Sequence, residues 1–212
     1  MQKVDIAVVD YGMGNLRSVF KAVEHVAGGQ SIAVTSDASV IESAKRVIFP
    51  GQGAMPDCMR ELEKRGLRET IINAAKNKPF LGICIGMQLL FEHSEEGDTL
   101  GLNLLKGNVK RFAANQIHNG EKLKVPHMGW NQVIQTKKHD LWADIEQNTR
   151  FYHVHSYFTE PLDNTVITGE TQYGQRFCSV IAKENIFATQ FHVEKSAQAG
   201  LQLLQNFVSW QP

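Results

Sequence analysis

Phe80-Leu81-Gly82-Ile83-Cys84-Ile85-Gly86-Met87-Gln88-Leu89-Leu90 is the stretch that organises the rest of the chain. Phe80 to Ile83 is an apolar run of strand length, and Gly86 to Glu92 carries a helical pattern, so Cys84 falls where a strand gives way to a helix. A reactive side chain between two glycines at such a junction matches a nucleophile elbow with Cys in place of Ser: the tight turn holds the nucleophile in a strained, exposed position, and the glycines let neighbouring backbone approach. A helix N-terminus also favours thiolate over thiol. The competing reading is a buried core cysteine, the commoner fate of this residue type; the elbow context favours the nucleophile.

Upstream of the elbow, strand and helix patterns alternate. Val4 to Val9 is a strand candidate, and Tyr11-Gly12-Met13-Gly14 a turn. Asn15 is a plausible N-cap for a helix whose apolar residues Leu16, Val19, Phe20, Val23 and Val26 recur at helical spacing until Gly28-Gly29. Ile32 to Thr35, Ala38 to Ala44 and Arg46 to Phe49 repeat the unit as strand, helix and strand, and the last runs into Pro50-Gly51-Gln52-Gly53. Pro56 suits a helix start, and Leu67 to Ala75 continues helical. Such alternation predicts an α/β fold, a mostly parallel sheet flanked by helices with its ligand site at the carboxyl ends of the strands.

After His93 the texture changes. Ser94 to Gly107 is polar, and Val109 to Phe112, Gln132 to Thr136, Phe151 to Phe158, Thr165 to Thr168, Phe177 to Lys183 and Ile186 to Phe191 read as strands, so antiparallel structure is added in the second half. Ala199, Leu203, Phe207 and Trp210 mark a closing helix. With 212 residues, 42% of them hydrophobic, and no repeat or linker, residues 1–212 are expected to form one domain. Lys and Arg number 22 against 22 Asp and Glu, which leaves no broad cationic field for nucleic acid or an anionic membrane. The N-terminus lacks a signal-peptide pattern, and the three cysteines are widely spaced without a C-x-x-C pair, which suits a reducing cytoplasm and disfavours a structural zinc site.

A thiolate that attacks an amide needs an acid for the leaving nitrogen. Of the eight histidines, His192 is the best placed, because it follows the strand ending at Phe191 and has Glu194 two residues on, on the same face of extended backbone. Oxyanion donors are expected from the backbone N–H of Ile85 and from Gly51, Gln52 or Gly53, whose loop follows the third strand as Cys84 follows the fourth. Gly12-x-Gly14 is no dinucleotide fingerprint, since Arg17 stands where its third glycine belongs. His153 and His155 share a strand without an acidic or cysteine partner at metal-ligand spacing and read as core or interface histidines, and Cys58 and Cys178 as packing residues.

With Asp10 to Asn15, Pro50 to Gly53, the elbow, Pro126-His127-Met128-Gly129-Trp130-Asn131, His155-Ser156-Tyr157 and Phe191 to Glu194 together, the chain resembles the class I, or triad, glutamine amidotransferases over essentially its full length. The resemblance implies a flavodoxin-like fold and a glutaminase with Cys84, His192 and Glu194 catalytic, needing no cofactor or metal. It implies that Gln88, Ser156 and Tyr157 hold glutamine, and that the Gly51 to Gly53 loop switches to complete the oxyanion hole. Asn15, Trp130, Asn131, Tyr152 and Lys195 would face a (β/α)8-barrel cyclase in a heterodimer that receives the ammonia. One position departs from the pattern: Val193 stands where the family has proline between His and Glu. A subunit for a different synthase, or a non-catalytic interaction subunit that retains the fold, are the alternatives, separated by co-purification with the cyclase and by turnover.

Overall fold

The computed structural model describes residues 4–114, 117–118 and 121–212. Its first half is β1 (Ile6–Val9), α1 (Leu16–Val26), β2 (Ile32–Thr35), α2 (Ala38–Ser43), β3 (Arg46–Gly51), α3 (Met55–Lys64), α4 (Arg68–Asn77), β4 (Phe80–Cys84) and the short α5 (Ile85–Gln88). Every residue of β1, β3 and β4 is buried, as continuous apolar runs are when both faces of a parallel sheet are covered. β2 lies at the edge and is only partly buried.

The second half contributes β5 (Gly107–Arg111), β6 (His127–Gln132), β7 (Arg150–His155), β8 (Tyr157–Pro161), β9 (Ile167–Tyr173), β10 (Gln175–Lys183), β11 (Ile186–Thr189) and α6 (Ala197–Ser209). β2, β1, β3, β4 and β11 lie side by side in that order, all parallel. β10, β8 and β5 then extend the sheet antiparallel, with β9 against β10. α1 packs on α6 and α2 on α4. No described helix is long and apolar enough to cross a membrane.

β6 and β7 form a separate two-stranded ribbon. The expected single strand from Phe151 to Phe158 is therefore two: the chain pairs in the ribbon up to His155, turns at Ser156, and joins the main sheet from Tyr157. The expected strand over Gln132 to Thr136 is likewise divided at buried Val133, and Asn164–Val166 is a 3-10 turn before β9. The helix expected over Gly86 to Glu92 ends at Gln88. The N–H groups of Leu102, Asn103 and Leu104 take the carbonyls of Leu89, Phe91 and Leu90 at 2.8, 3.1 and 2.9 Å, so the returning chain captures acceptors that a longer helix would use. Asn15 starts α1 through its backbone carbonyl, but its side chain makes no capping bond.

Candidate active site

β4 ends in the elbow that its sequence suggested. Cys84 has φ 56° and ψ −110°, a left-handed backbone that costs a side-chain-bearing residue about 1–3 kcal/mol and persists only where the surroundings enforce it. The glycines supply the enforcement. A Cβ on Gly86 would lie 1.9 Å from the carbonyl oxygen of Phe49 in β3, and one on Gly82 2.9 Å from the carbonyl oxygen of Gly86. The elbow is thus wedged against β3, where Gly51 pairs with Cys84 itself.

His192 and Glu194 stand where β11 has given way to a turn. Val193–Lys195 is a 3-10 turn rather than extended backbone, so the two side chains meet by curvature and not by strand alternation, and His192 Nδ1 lies 2.8 Å from Glu194 Oε1. Both side chains are almost fully buried. Val193 is buried in the core and opens the 3-10 turn, a position that also accepts proline, so its presence leaves the pair intact. Burial pushes the imidazole toward neutrality, but the charge of Cys84 and a hydrogen bond to it, then Glu194, outweigh this and raise His192 to about 10. Ser196, which the sequence did not mark, ties the turn down: its hydroxyl donates to His192 O at 2.6 Å and accepts from Tyr152 N at 3.0 Å, while His192 N donates to Tyr152 O at 3.0 Å.

A cavity of about 330 Å³ opens over these groups. Cys84, Ile85, His192, Gln52, Gly53, Gln88, Ser156 and Tyr157 all line it, so the expected nucleophile, oxyanion loop and substrate residues are brought to one place. Gly51 lies just beneath, and a Cβ there would strike Ile85 Cβ and Tyr11 Oη at 2.7 Å each. Gln52 is anchored by its carbonyl, which accepts from Cys58 Sγ at 3.6 Å. Glu96 also reaches the cavity, with Oε2 accepting from Met55 N at 2.8 Å. Nothing in the polar stretch around it distinguished this carboxylate. Burial raises Cys58 to about 11 and Cys178 to about 12, and both pack in the interior.

On the outer face of the ribbon, Trp130 and Tyr152 meet edge-on at 6.1 Å, and the Lys195 ammonium lies 6.0 Å from the Tyr152 ring. Trp130 and Met128 are 50% and 63% exposed, an apolar surface beside the cavity mouth. Asn131 alternates to the other face: its Nδ2 lies 3.2 Å from His127 Nε2 and donates to Gln172 O at 2.9 Å. Asn15 is half-buried at the head of α1.

The ribbon register places His127 opposite His155, so a third imidazole joins His153 and His155, with the nearest ring nitrogens of the three within 4.8 Å of one another. The His127 and His153 rings stack at 4.7 Å and 25°, so their in-plane lone pairs cannot meet at one ion. Hydrogen bonds settle the tautomers instead. His155 Nδ1 donates to Tyr157 O at 2.8 Å, which leaves its Nε2 to accept from His127 Nδ1 at 3.3 Å, and His127 Nε2 accepts from Asn131. Burial drives His127 down to about 4 and His155 to about 3, and His153 well below the usual imidazole range. The unfolded chain takes up these protons near pH 6.5, whereas the fold refuses them until about pH 4 and 3. The contribution of these three histidines to stability is therefore full above pH 6.5 and falls as pH drops through that window. Thermal melts should show a steep acid limb below pH 6.5, shallower in His153→Phe, where Phe177 and Phe191 already surround the ring.

A cysteine on a strand-to-helix elbow, a buried His–Glu pair and a loop of small residues around one cavity are what an amide-cleaving thiol site requires. The chain belongs to the glutamine amidotransferase class-I family, which matches residues 7–210. Within that family it is similar to proteins named imidazole glycerol phosphate synthase subunit HisH. It is 62% identical to that of Aromatoleum aromaticum over 98% of this chain and 99% of the relative, and 62% identical to that of Dechloromonas aromatica over 98% and 97%. Among solved structures, a glutamine amidotransferase from Thermotoga maritima superposes with a TM-score of 0.60 at 15% identity, covering 94% of this chain and 80% of the other. The fold is therefore shared with proteins whose sequences have diverged widely.

Proposed function

We propose that this chain is the glutaminase subunit of an imidazole glycerol phosphate synthase, acting in histidine biosynthesis by hydrolysing glutamine through a Cys84 thioester and passing the ammonia to a cyclase. The names of its relatives and the family support the activity, and the single observation that carries the residue roles is that Cys84 and His192 line one cavity while Glu194, buried behind it, holds His192 Nδ1 at 2.8 Å. The Cys84 sulfur attacks the side-chain carboxamide carbon and the carbonyl oxygen takes the negative charge, met by Ile85 N–H and by the Gly51 to Gly53 loop. Because Nδ1 of His192 is held by Glu194, Nε2 is the nitrogen left to protonate the departing amine. The C–N bond breaks, ammonia leaves, and a thioester remains. Water, deprotonated by His192, attacks the thioester carbon; the C–S bond breaks and glutamate is released.

Gln88, Ser156 and Tyr157 hold the glutamine, and the Glu96 carboxylate offers the charge that an α-ammonium needs. Trp130, Tyr152 and Lys195 face the partner, a (β/α)8-barrel cyclase in a heterodimer; Asn15 at the head of α1 is assigned to the same interface, and Asn131 supports the ribbon from its opposite face through His127 and Gln172. Enclosed transfer has a chemical reason: ammonia in neutral water is mostly ammonium, which is not a nucleophile. A loop that must rearrange to complete the oxyanion hole ties hydrolysis to cyclase occupancy.

The test mixes the chain with the cyclase and its nucleotide ligand and follows glutamate release. Turnover should rise on mixing, and its absence from the complex would sink the proposal. Glu194→Gln should keep the hydrogen bond to Nδ1 but remove the charge that sustains the imidazolium, lowering kcat roughly 10²-fold with little change in KM.

A further inference from the structure

Gln190 has no part in the mechanism above, yet its side chain is wholly buried between the nucleophile and the substrate pocket. Its Nε2 lies 3.8 Å from Cys84 Sγ, and its Oε1 accepts from Gln88 Nε2 at 3.1 Å. Which end of the amide faces the sulfur follows from a group that can only accept. Gln88 Nε2 is 3.1 Å from the backbone carbonyl of Tyr157, so the nitrogen end of Gln88 must point that way. The same nitrogen then donates to Gln190, which fixes Oε1 of Gln190 toward Gln88 and turns its NH2 toward Cys84. A backbone hydrogen bond from Gln190 N to Ser179 O at 2.8 Å holds the residue in register.

The consequence lies in what the sulfur offers in return. Among the described residues Cys84 Sγ is the only acceptor that the Gln190 NH2 group meets. A neutral thiol accepts weakly, and a buried amide N–H without a good acceptor is costly, whereas a thiolate satisfies it with a charge-assisted bond. Resting on the nucleophilic role proposed for Cys84, we infer that Gln190 is a further residue of the catalytic constellation, whose oriented amide donates to the Cys84 sulfur, holds it toward the cavity and favours its ionised form. The chain Tyr157 carbonyl, Gln88, Gln190, Cys84 thereby couples the substrate-holding residues to the state of the nucleophile.

Two variants separate the halves of this role. Gln190→Glu keeps an oxygen for Gln88 but turns a carboxylate on the sulfur, and Gln190→Met keeps the volume and removes both polar ends. The pH dependence of Cys84 alkylation by iodoacetamide, measured on the full chain, should move to higher pH in both. The rate at pH 7 should fall roughly tenfold in Gln190→Met and further in Gln190→Glu, while KM for glutamine in the cyclase complex rises more in Gln190→Met. An unmoved alkylation profile in a variant that melts as the wild type does would overturn the inference, and a rise in KM alone would assign Gln190 to Gln88 only. Should both variants fail to fold, the wild-type Gln190 side-chain amide resonance decides: it should shift with the same pH midpoint as alkylation, and a resonance indifferent to pH and to Cys84 modification would refute the bond. Failure here is distinct from failure of the glutaminase reading, which would appear as turnover surviving Cys84→Ala.

Discussion

Glutamine hydrolysis should fall by at least about 10⁴-fold when Cys84 is replaced by alanine, while the fold and glutamine binding should persist. The backbone is indifferent to the exchange, because alanine at φ 56° carries the same left-handed cost as the cysteine it replaces. Gln88, Tyr157 and Glu96 still line the cavity, so calorimetry should detect glutamine bound to a protein that no longer turns it over. Glutamate release in the cyclase complex is the decisive measurement. Turnover that survives the substitution would transfer the chemistry away from the elbow, and loss of both binding and folding would show that the thiol is a packing residue.

Gly86→Ala carries the second large effect. The added methyl would stand 1.9 Å from the Phe49 carbonyl oxygen, and that oxygen belongs to buried backbone in the middle of the parallel sheet. It cannot swing aside as a flexible side-chain tip could, so the elbow must lift from β3 or β3 must shift. Either route costs on the order of 4 kcal/mol or more. The melting temperature should drop sharply, and any protein that remains folded should show slowed alkylation of Cys84. Gly82→Ala meets the Gly86 carbonyl at 2.9 Å and should be milder. A Gly86→Ala protein with wild-type melting and alkylation would mean that the elbow is not wedged against β3.

The elbow and the strands around it were legible because their signals are local. Apolar runs of strand length, helical spacing up to Val26 and glycines flanking Cys84 all sit within a few residues of what they specify. The His192–Glu194 pair was also found, although for an incomplete reason: the side chains meet through a 3-10 turn and not through strand alternation. What stayed hidden depends on contacts distant in sequence. His127 meets His155 only through the ribbon register, Glu96 reaches the cavity from a featureless polar loop, and Gln190 gains its orientation from a carbonyl 33 positions earlier, at Tyr157. The divided strand at Ser156 is of the same kind, since the residues on either side find different partners.

The Ser196 hydroxyl bridges two things that function keeps apart. It bonds the carbonyl of His192 on one side and the amide of Tyr152 on the other, and Tyr152 packs beneath Trp130 on the outer face. The backbone behind that aromatic surface is therefore tied to the backbone of His192 through two hydrogen bonds, outside the cavity. The exposed aromatic pair and the buried imidazole thus hang on one hydroxyl, so Ser196→Ala is expected to loosen both ends of that link together.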